Sequence, residues 1–243
     1  MLKVRTLFFC GLLLAVLHAP LLAQESLHLA AGAGYKRLVQ EICTAFTAQS
    51  GIKVQLVFGN MGQIVPQVRE GGDFDFILGD KSHLEAANLA FAGEHVLGKG
   101  RLVAAVAKGS SLMGLNGLTD PAVSRIAIAD AKKAIYGRAA AEYFANSGLE
   151  EKIQDKVLVV GTVPQVSAYV ISGEVDVGFI NQTEALAIEG KIARLLPVDE
   201  QLYSPVLIVA YRLQQSPHGK AAEAFISFLE SGEARAIIQG HGL

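Results

Sequence analysis

From residue 26 onward the chain alternates short apolar or β-branched runs with longer stretches whose apolar residues recur every three or four positions. The first pattern suits buried strands and the second amphipathic helices, so their alternation predicts α/β units. Residues 26–31 read as a strand, followed by Gly32-Ala33-Gly34 and a helix whose stripe is Leu38, Ile42 and Phe46, ending near Ser50-Gly51. Residues 52–58 read as a strand, Gly59-Asn60-Met61-Gly62 as a loop, 63–70 as a short helix carrying Pro66, and 74–78 as a third strand. The run 100–107 contains no turn residue inside it and suits a strand crossing between two lobes. A second set then begins, with strands at 125–129, 157–160 and 175–180 and helices at 136–147 and 164–172. A strand at 206–210 and helices at 221–229 and 233–239 close the chain. The same grammar in two halves implies two lobes and a cleft.

The N-terminus sets the compartment. Lys3 and Arg5 precede an apolar stretch from Leu7 to Val16, then Pro20 and Ala23-Gln24, the layout of a secretory signal peptide over residues 1–23. The stretch falls short of the ~20 apolar residues a membrane span needs, so export to the periplasm is expected. Cys10 raises a lipoprotein alternative, which the bulky Phe8 and Phe9 disfavour. Loss of the leader leaves Cys43 as the lone cysteine, a packing residue with no disulfide partner. The net charge of −2, more negative once Lys3 and Arg5 leave, gives no footprint for nucleic acid or an anionic membrane.

Ligands of open α/β sheets sit beyond the carboxyl ends of the strands, where loops feed helices. Four such loops stand out, at 32–35, 59–62, 133–136 and 161–164. At each, the first N–H groups of a helix lack internal partners, so an anion can be held there without a counter-charge. Catalytic signatures are missing: there is no Gly-x-Ser-x-Gly elbow, no phosphate loop and no complete Gly-x-Gly-x-x-Gly fingerprint. The six histidines show no metal-ligand spacing, which predicts no metal site, and His95, His218 and His241 lie in stretches where solvated side chains are expected. Asp73 and Asp75 read as solvent-facing residues at a strand start. Lys36, Lys133 and Arg138 can attract an anion at long range, but read as exposed side chains rather than ligands.

With these elements placed, the chain resembles the molybdate-binding proteins of bacterial ABC importers over essentially its whole length after the leader. The segment from Phe58 through Gln67-Val68-Arg69-Glu70-Gly71-Gly72 to Asp75 carries part of the likeness. The strongest part is Ile128-Ala129-Asp130-Ala131-Lys132-Lys133-Ala134-Ile135-Tyr136-Gly137-Arg138-Ala139-Ala140. Val163-Pro164-Gln165-Val166 and Ser172-Gly173-Glu174-Val175-Asp176-Val177-Gly178-Phe179 are nearly as specific. Arg101-Leu102-Val103 and Tyr203-Ser204-Pro205-Val206 are similar to the two crossover segments, and Ala224-Phe225 through Gln239 to the terminal helices.

The resemblance implies a two-lobed α/β fold of the type II periplasmic binding protein kind, each lobe a mixed sheet flanked by helices. Residues 24–102 and 204–243 form lobe I and 103–203 lobe II. It also implies no catalysis and a membrane permease with its ATPase as partners; no cofactor is expected, and the architecture is compatible with a monomer. The family's two ligand serines fall on Gly34 and Met61 and its ligand tyrosine on Asn181; its backbone N–H donors fall near Ala134 and Ile135 and at Val163. The expected ligand site is therefore Gly34, Tyr35, Asn60, Met61, Ala134, Ile135, Tyr136, Val163 and Asn181. Losing two hydroxyls without compensation weakens oxyanion binding by roughly two to four powers of ten. The amides of Asn60 and Asn181, the phenols of Tyr35, Tyr136 and Tyr203, and the main chain at Gly34 or Met61 can substitute. Two alternatives stay open: the same fold serving another oxyanion or a small organic acid, and a secreted α/β enzyme using Asp75 or Asp130.

Overall fold

The computed structural model describes residues 26–243; the segment read as a leader, with Cys10 and His18, lies outside the described residues. Two five-stranded mixed sheets form the centres of two lobes. In the first, β1 (Ser26–Gly32) lies between β2 (Lys53–Gly59) and β3 (Phe76–Asp80), all parallel, and β10 (Val206–Leu213) then runs antiparallel between β3 and β4 (Phe91–Gly100). In the second, β6 (Ile126–Ala129) lies between β7 (Val157–Val160) and β8 (Val177–Asn181), with β5 (Leu102–Val106) antiparallel between β8 and β9 (Arg194–Pro197). The two sheets share one topology, with a strand reached by a crossover in the fourth place of each.

The helices cover the sheets because their apolar stripes require it. On α1 (Lys36–Ser50), Leu38, Val39, Ile42, Cys43 and Phe46 are buried, and Phe46 meets Phe225 and Phe228 of α8 (Gly219–Leu229) at 5.1 and 5.7 Å between ring centroids. Cys43 has no disulfide, and burial pushes its thiol pKa up to about 12. On the second sheet, α4 (Ile135–Asn146) packs so closely that a Cβ at Gly137 would lie 2.4 Å from the carbonyl oxygen of Ala129, so only glycine lets the helix start there.

The chain passes between the two sheets twice, at Arg101 and between β9 and β10, and the two passages lie side by side. Gly100 pairs with Val206, and the Tyr203 hydroxyl accepts from the Leu102 N–H at 3.0 Å. The run 100–107 is thus not one crossing strand: β5 belongs wholly to the second sheet and the change of lobe is confined to Arg101. Two edge strands, β4 and β9, and three short helices, α3 (Lys81–Glu85), α5 (Glu150–Ile153) and α7 (Gln182–Ile188), escape the pattern-based reading. β4 alternates half-exposed and exposed positions and carries Gly93, Gly98 and Gly100, and β9 has no buried residue, so neither shows an apolar run.

Asp75 corrects a second expectation. It is fully buried rather than solvent-facing and accepts from the His28 N–H (2.9 Å) and the Ser216 hydroxyl (2.6 Å), with His218 Nδ1 at 3.0 Å. His218 is therefore held by a carboxylate instead of solvated, and His241 pairs with Glu41 at 2.8 Å. Only sequence-distant partners distinguish these histidines from exposed ones.

Candidate functional site

Three helices begin at the cleft with the same local plan. The caps Asn60, Ala134 and Thr162 are extended, and each is followed by an apolar buried residue in the first helical position: Met61 of α2 (Met61–Arg69), Ile135 of α4 and Val163 of α6 (Val163–Ser172). Two of the three are closed by reciprocal capping boxes, Asn60 with Gln63 and Thr162 with Gln165, one in each lobe. The boxes satisfy the cap and third-position N–H groups. The first-position N–H groups of Met61, Ile135 and Val163 have no acceptor within their helices.

These residues wall one small cavity between the lobes. Its lining is Gly32 to Tyr35 and Gly59 to Met61 from lobe I, and Ala134 to Tyr136, Thr162 and Val163 from lobe II. It leaves about 20 Å³ for the centre of a water-sized group, where a single water needs roughly 10–15 Å³. Any ligand enclosed by this conformation is therefore very small. No charged side chain lines the space, so the fields that act there first are those of backbone N–H groups and helix ends.

The lobes are closed over it by polar contacts. Asn60 Nδ2 donates to the Gly161 carbonyl at 2.9 Å, Asn181 Nδ2 to the Gly34 carbonyl at 3.0 Å, and the Gly62 N–H to the Lys133 carbonyl at 3.2 Å. The Tyr35 and Tyr136 hydroxyls meet at 2.5 Å beside Gly100. Burial, and the proximity of the two phenols, push the Tyr35 pKa well up; burial also raises that of Tyr136, so both stay protonated. Further out, Arg37 meets Glu184 at 2.9 Å and Arg138 meets Asp80 at 2.8 Å, each pair spanning the cleft.

Gly34, Tyr35, Asn60, Met61, Ala134, Ile135, Tyr136 and Val163 are brought together around the cavity, and Asn181 is not. Asn181 is fully buried, with its amide N–H turned to the Gly34 carbonyl, and is not among the residues that line the cavity. The phenols of Tyr35 and Tyr136 bond each other and that of Tyr203 serves Leu102, so the rings of Tyr35 and Tyr136 wall the site while all three hydroxyls are taken up by other protein groups. Arg138 is engaged with a buried carboxylate rather than free in solvent, whereas Lys133 stays exposed. Thr162 also lines the cavity, outside the expected set; Thr162-Val163-Pro164-Gln165 is a readable capping-box pattern that places a threonine at a helix mouth. Among the described residues no group of three or more His, Cys, Asp or Glu is arranged to hold a metal ion.

The profile of the family described as bacterial extracellular solute-binding protein matches residues 27–243. The molybdate-binding protein ModA of Rhodobacter capsulatus is 28% identical over 218 residues, covering 88% of this chain and 86% of that protein. The solved periplasmic molybdate-binding protein of Azotobacter vinelandii superimposes with a TM-score of 0.81 at 22% identity, covering 89% of this chain and 97% of that one. A more distant relative, 25% identical over 262 residues and covering 99% of this chain and 96% of that protein, is an aconitate isomerase of Pseudomonas sp..

Proposed function

This chain belongs to the bacterial extracellular solute-binding proteins, and from that premise we propose that it captures a small tetrahedral oxyanion of the molybdate or tungstate type for an ABC importer. The observation that carries the reading is the uncharged cavity between two lobes, walled by the first residues of three helices. Unpartnered N–H groups of Met61, Ile135 and Val163 supply neutral donors from both lobes, so an anion bound there draws the lobes together. Backbone donors persist whatever the side chain, which is how Gly34 and Met61 can stand where the resembling family has serines. Residues 24–102 with 204–243 act as one body and 103–203 as the other, hinged at Arg101 and Ser204-Pro205. The ligand-lining set is Gly34, Tyr35, Asn60, Met61, Ala134, Ile135, Tyr136 and Val163.

The protein works in the periplasm after removal of residues 1–23, as a monomer, and hands its ligand to a permease driven by an ATPase. It binds without turnover. The space for the centre of a water-sized group is about 20 Å³ and its lining carries no charged side chain, which speaks for a small ion rather than a larger polyanion. A second reading, another small solute in the same fold, is favoured by one feature: the only hydroxyl-bearing side chains on the cavity wall are Thr162 and two tyrosines bonded to each other.

Calorimetric titration of the ligand-stripped mature protein with molybdate, tungstate and sulfate at one ionic strength tests the choice. Submicromolar binding of the first two without sulfate supports the oxyanion reading. No heat from any of the three removes it in favour of the second.

A further inference from the structure

Gly34 and Asn181 occupy one volume from opposite sides of the cleft. A Cβ at Gly34 would lie 2.7 Å from Asn181 Oδ1 and 3.5 Å from the Val163 Cβ. Gly34 does not have a positive φ, so its backbone would accept a side chain; what excludes one is the carboxamide of Asn181. That carboxamide donates to the Gly34 carbonyl, and the opposite amide orientation would set two oxygens together. Its own Oδ1 is buried with no hydrogen-bond partner among the described residues. Asn181 also ends β8 at the crossover, pairing with Leu102, while the next residue, Gln182, donates its N–H to Arg101.

We infer that Gly34 and Asn181 are a closure pair: Asn181 is a positioning residue that seats the Gly34 loop when the lobes shut, and the absence of a side chain at 34 is what lets them shut. Neither touches the ligand through its side chain. The hydrogen bond to the Gly34 carbonyl favours the closed form and the unpartnered Oδ1 opposes it, so the pair sets the closed population beside the crossover at Arg101. The inference rests on the proposed binding reading for its purpose, not for its geometry.

The test reads closure directly. In a background carrying Gly62→Cys and Lys133→Cys, a Cβ at 62 lies 3.1 Å from that of 133, close enough to the ~3.5–4.5 Å of a disulfide that a small shift joins them across the cleft. The rate of disulfide formation then follows the closed population, with or without molybdate. Gly34→Ala is expected to slow trapping about tenfold or more, because overpacking disfavours the closed form. Asn181→Ala is expected to slow it only a few fold. The double variant is expected to trap as fast as Asn181→Ala alone, with unfolding midpoints near wild type showing that all four proteins fold. Equal trapping in Gly34→Ala and wild type, or a double variant as slow as Gly34→Ala, overturns the inference. If molybdate leaves every trapping rate unchanged, the oxyanion reading fails while the closure pair is still judged by the same four rates.

Discussion

Arg138 of the second lobe holds Asp80 of the first, Nη2 to Oδ2 at 2.8 Å, with the carboxylate buried and the guanidinium partly exposed. Asp80 also caps a short helix, accepting from the His83 N–H at 3.2 Å and from the Ser82 hydroxyl at 2.6 Å. The buried carboxylate thus faces the cleft with its charge answered from the other lobe. Arg37 and Glu184 repeat the device with the partners exchanged, the acid lying in the second lobe.

Removing the guanidinium leaves the Asp80 charge unanswered only while the lobes are shut. Arg138→Ala is therefore expected to weaken molybdate binding about 10- to 100-fold, within the ~3–5 kcal/mol limit for breaking a buried pair. Calorimetry reads the affinity; a wild-type value in the variant shows that the pair plays no part in closure.

Ile135 separates the backbone donor from its side chain. Proline is tolerated at the first position of a helix, and the extended Ala134 before it (φ −121°, ψ 135°) suits a proline neighbour. Ile135→Pro removes the N–H and Ile135→Ala does not. The proline variant is expected to bind oxyanion about tenfold or more weakly than the alanine variant, the worth of one hydrogen bond to a charged group. Equal affinities mean that this N–H does not meet the ligand.

Glu184 gives the protein a pH dependence of predictable sign. Burial raises its pKa, and the Arg37 charge only partly offsets this. A carboxyl whose folded pKa is raised contributes stability that is fully present below its ordinary value of 4.5 and is lost as pH rises through the folded value. Thermal midpoints measured upward from about pH 4.5 are expected to show this loss, and Glu184→Gln, which cannot ionise, to lack it. Parallel curves for the two proteins contradict the assignment.

Cys43 is expected to be silent toward a thiol reagent in the native protein at about pH 8, since burial holds its pKa near 12 and the thiolate is the reacting form. It reacts on unfolding in denaturant. Prompt native-state labelling would show that the α1 interface opens locally.

Asp75 is a stability residue remote from the cavity. Asp75→Asn turns an amide toward donors that now meet a carboxylate, and is expected to lower unfolding free energy by about 2–4 kcal/mol in urea. Molybdate affinity is expected to stay at the wild-type value.

Much of the frame is legible without coordinates. The stripe Leu38, Ile42, Phe46 has a helical period and the β-branched run Val157 to Val160 suits a strand, and the observed elements match them. The four loops that meet at the cavity follow from the rule that ligands sit beyond strand ends. Element ends shift by a residue or two, as with α2, which begins at Met61 because the Asn60 and Gln63 capping box starts it earlier than Gln63. Edge strands β4 and β9 carry no such period because one side of each faces solvent.

By itself the sequence determined the α/β units, the two halves and the neutral, glycine-rich loops, because periodicity and capping are local and each window of the chain carries its own answer. Tertiary structure alone decided which polar groups are partnered: that Asp75 and Asp80 are buried, that Tyr35 and Tyr136 bond each other 101 residues apart, and that the Asn181 amide is taken up by the Gly34 carbonyl. Those contacts join residues from different lobes or distant segments. Their burial depends on packing between distant segments within a lobe or on the approach of one lobe to the other, a geometry that no local pattern encodes.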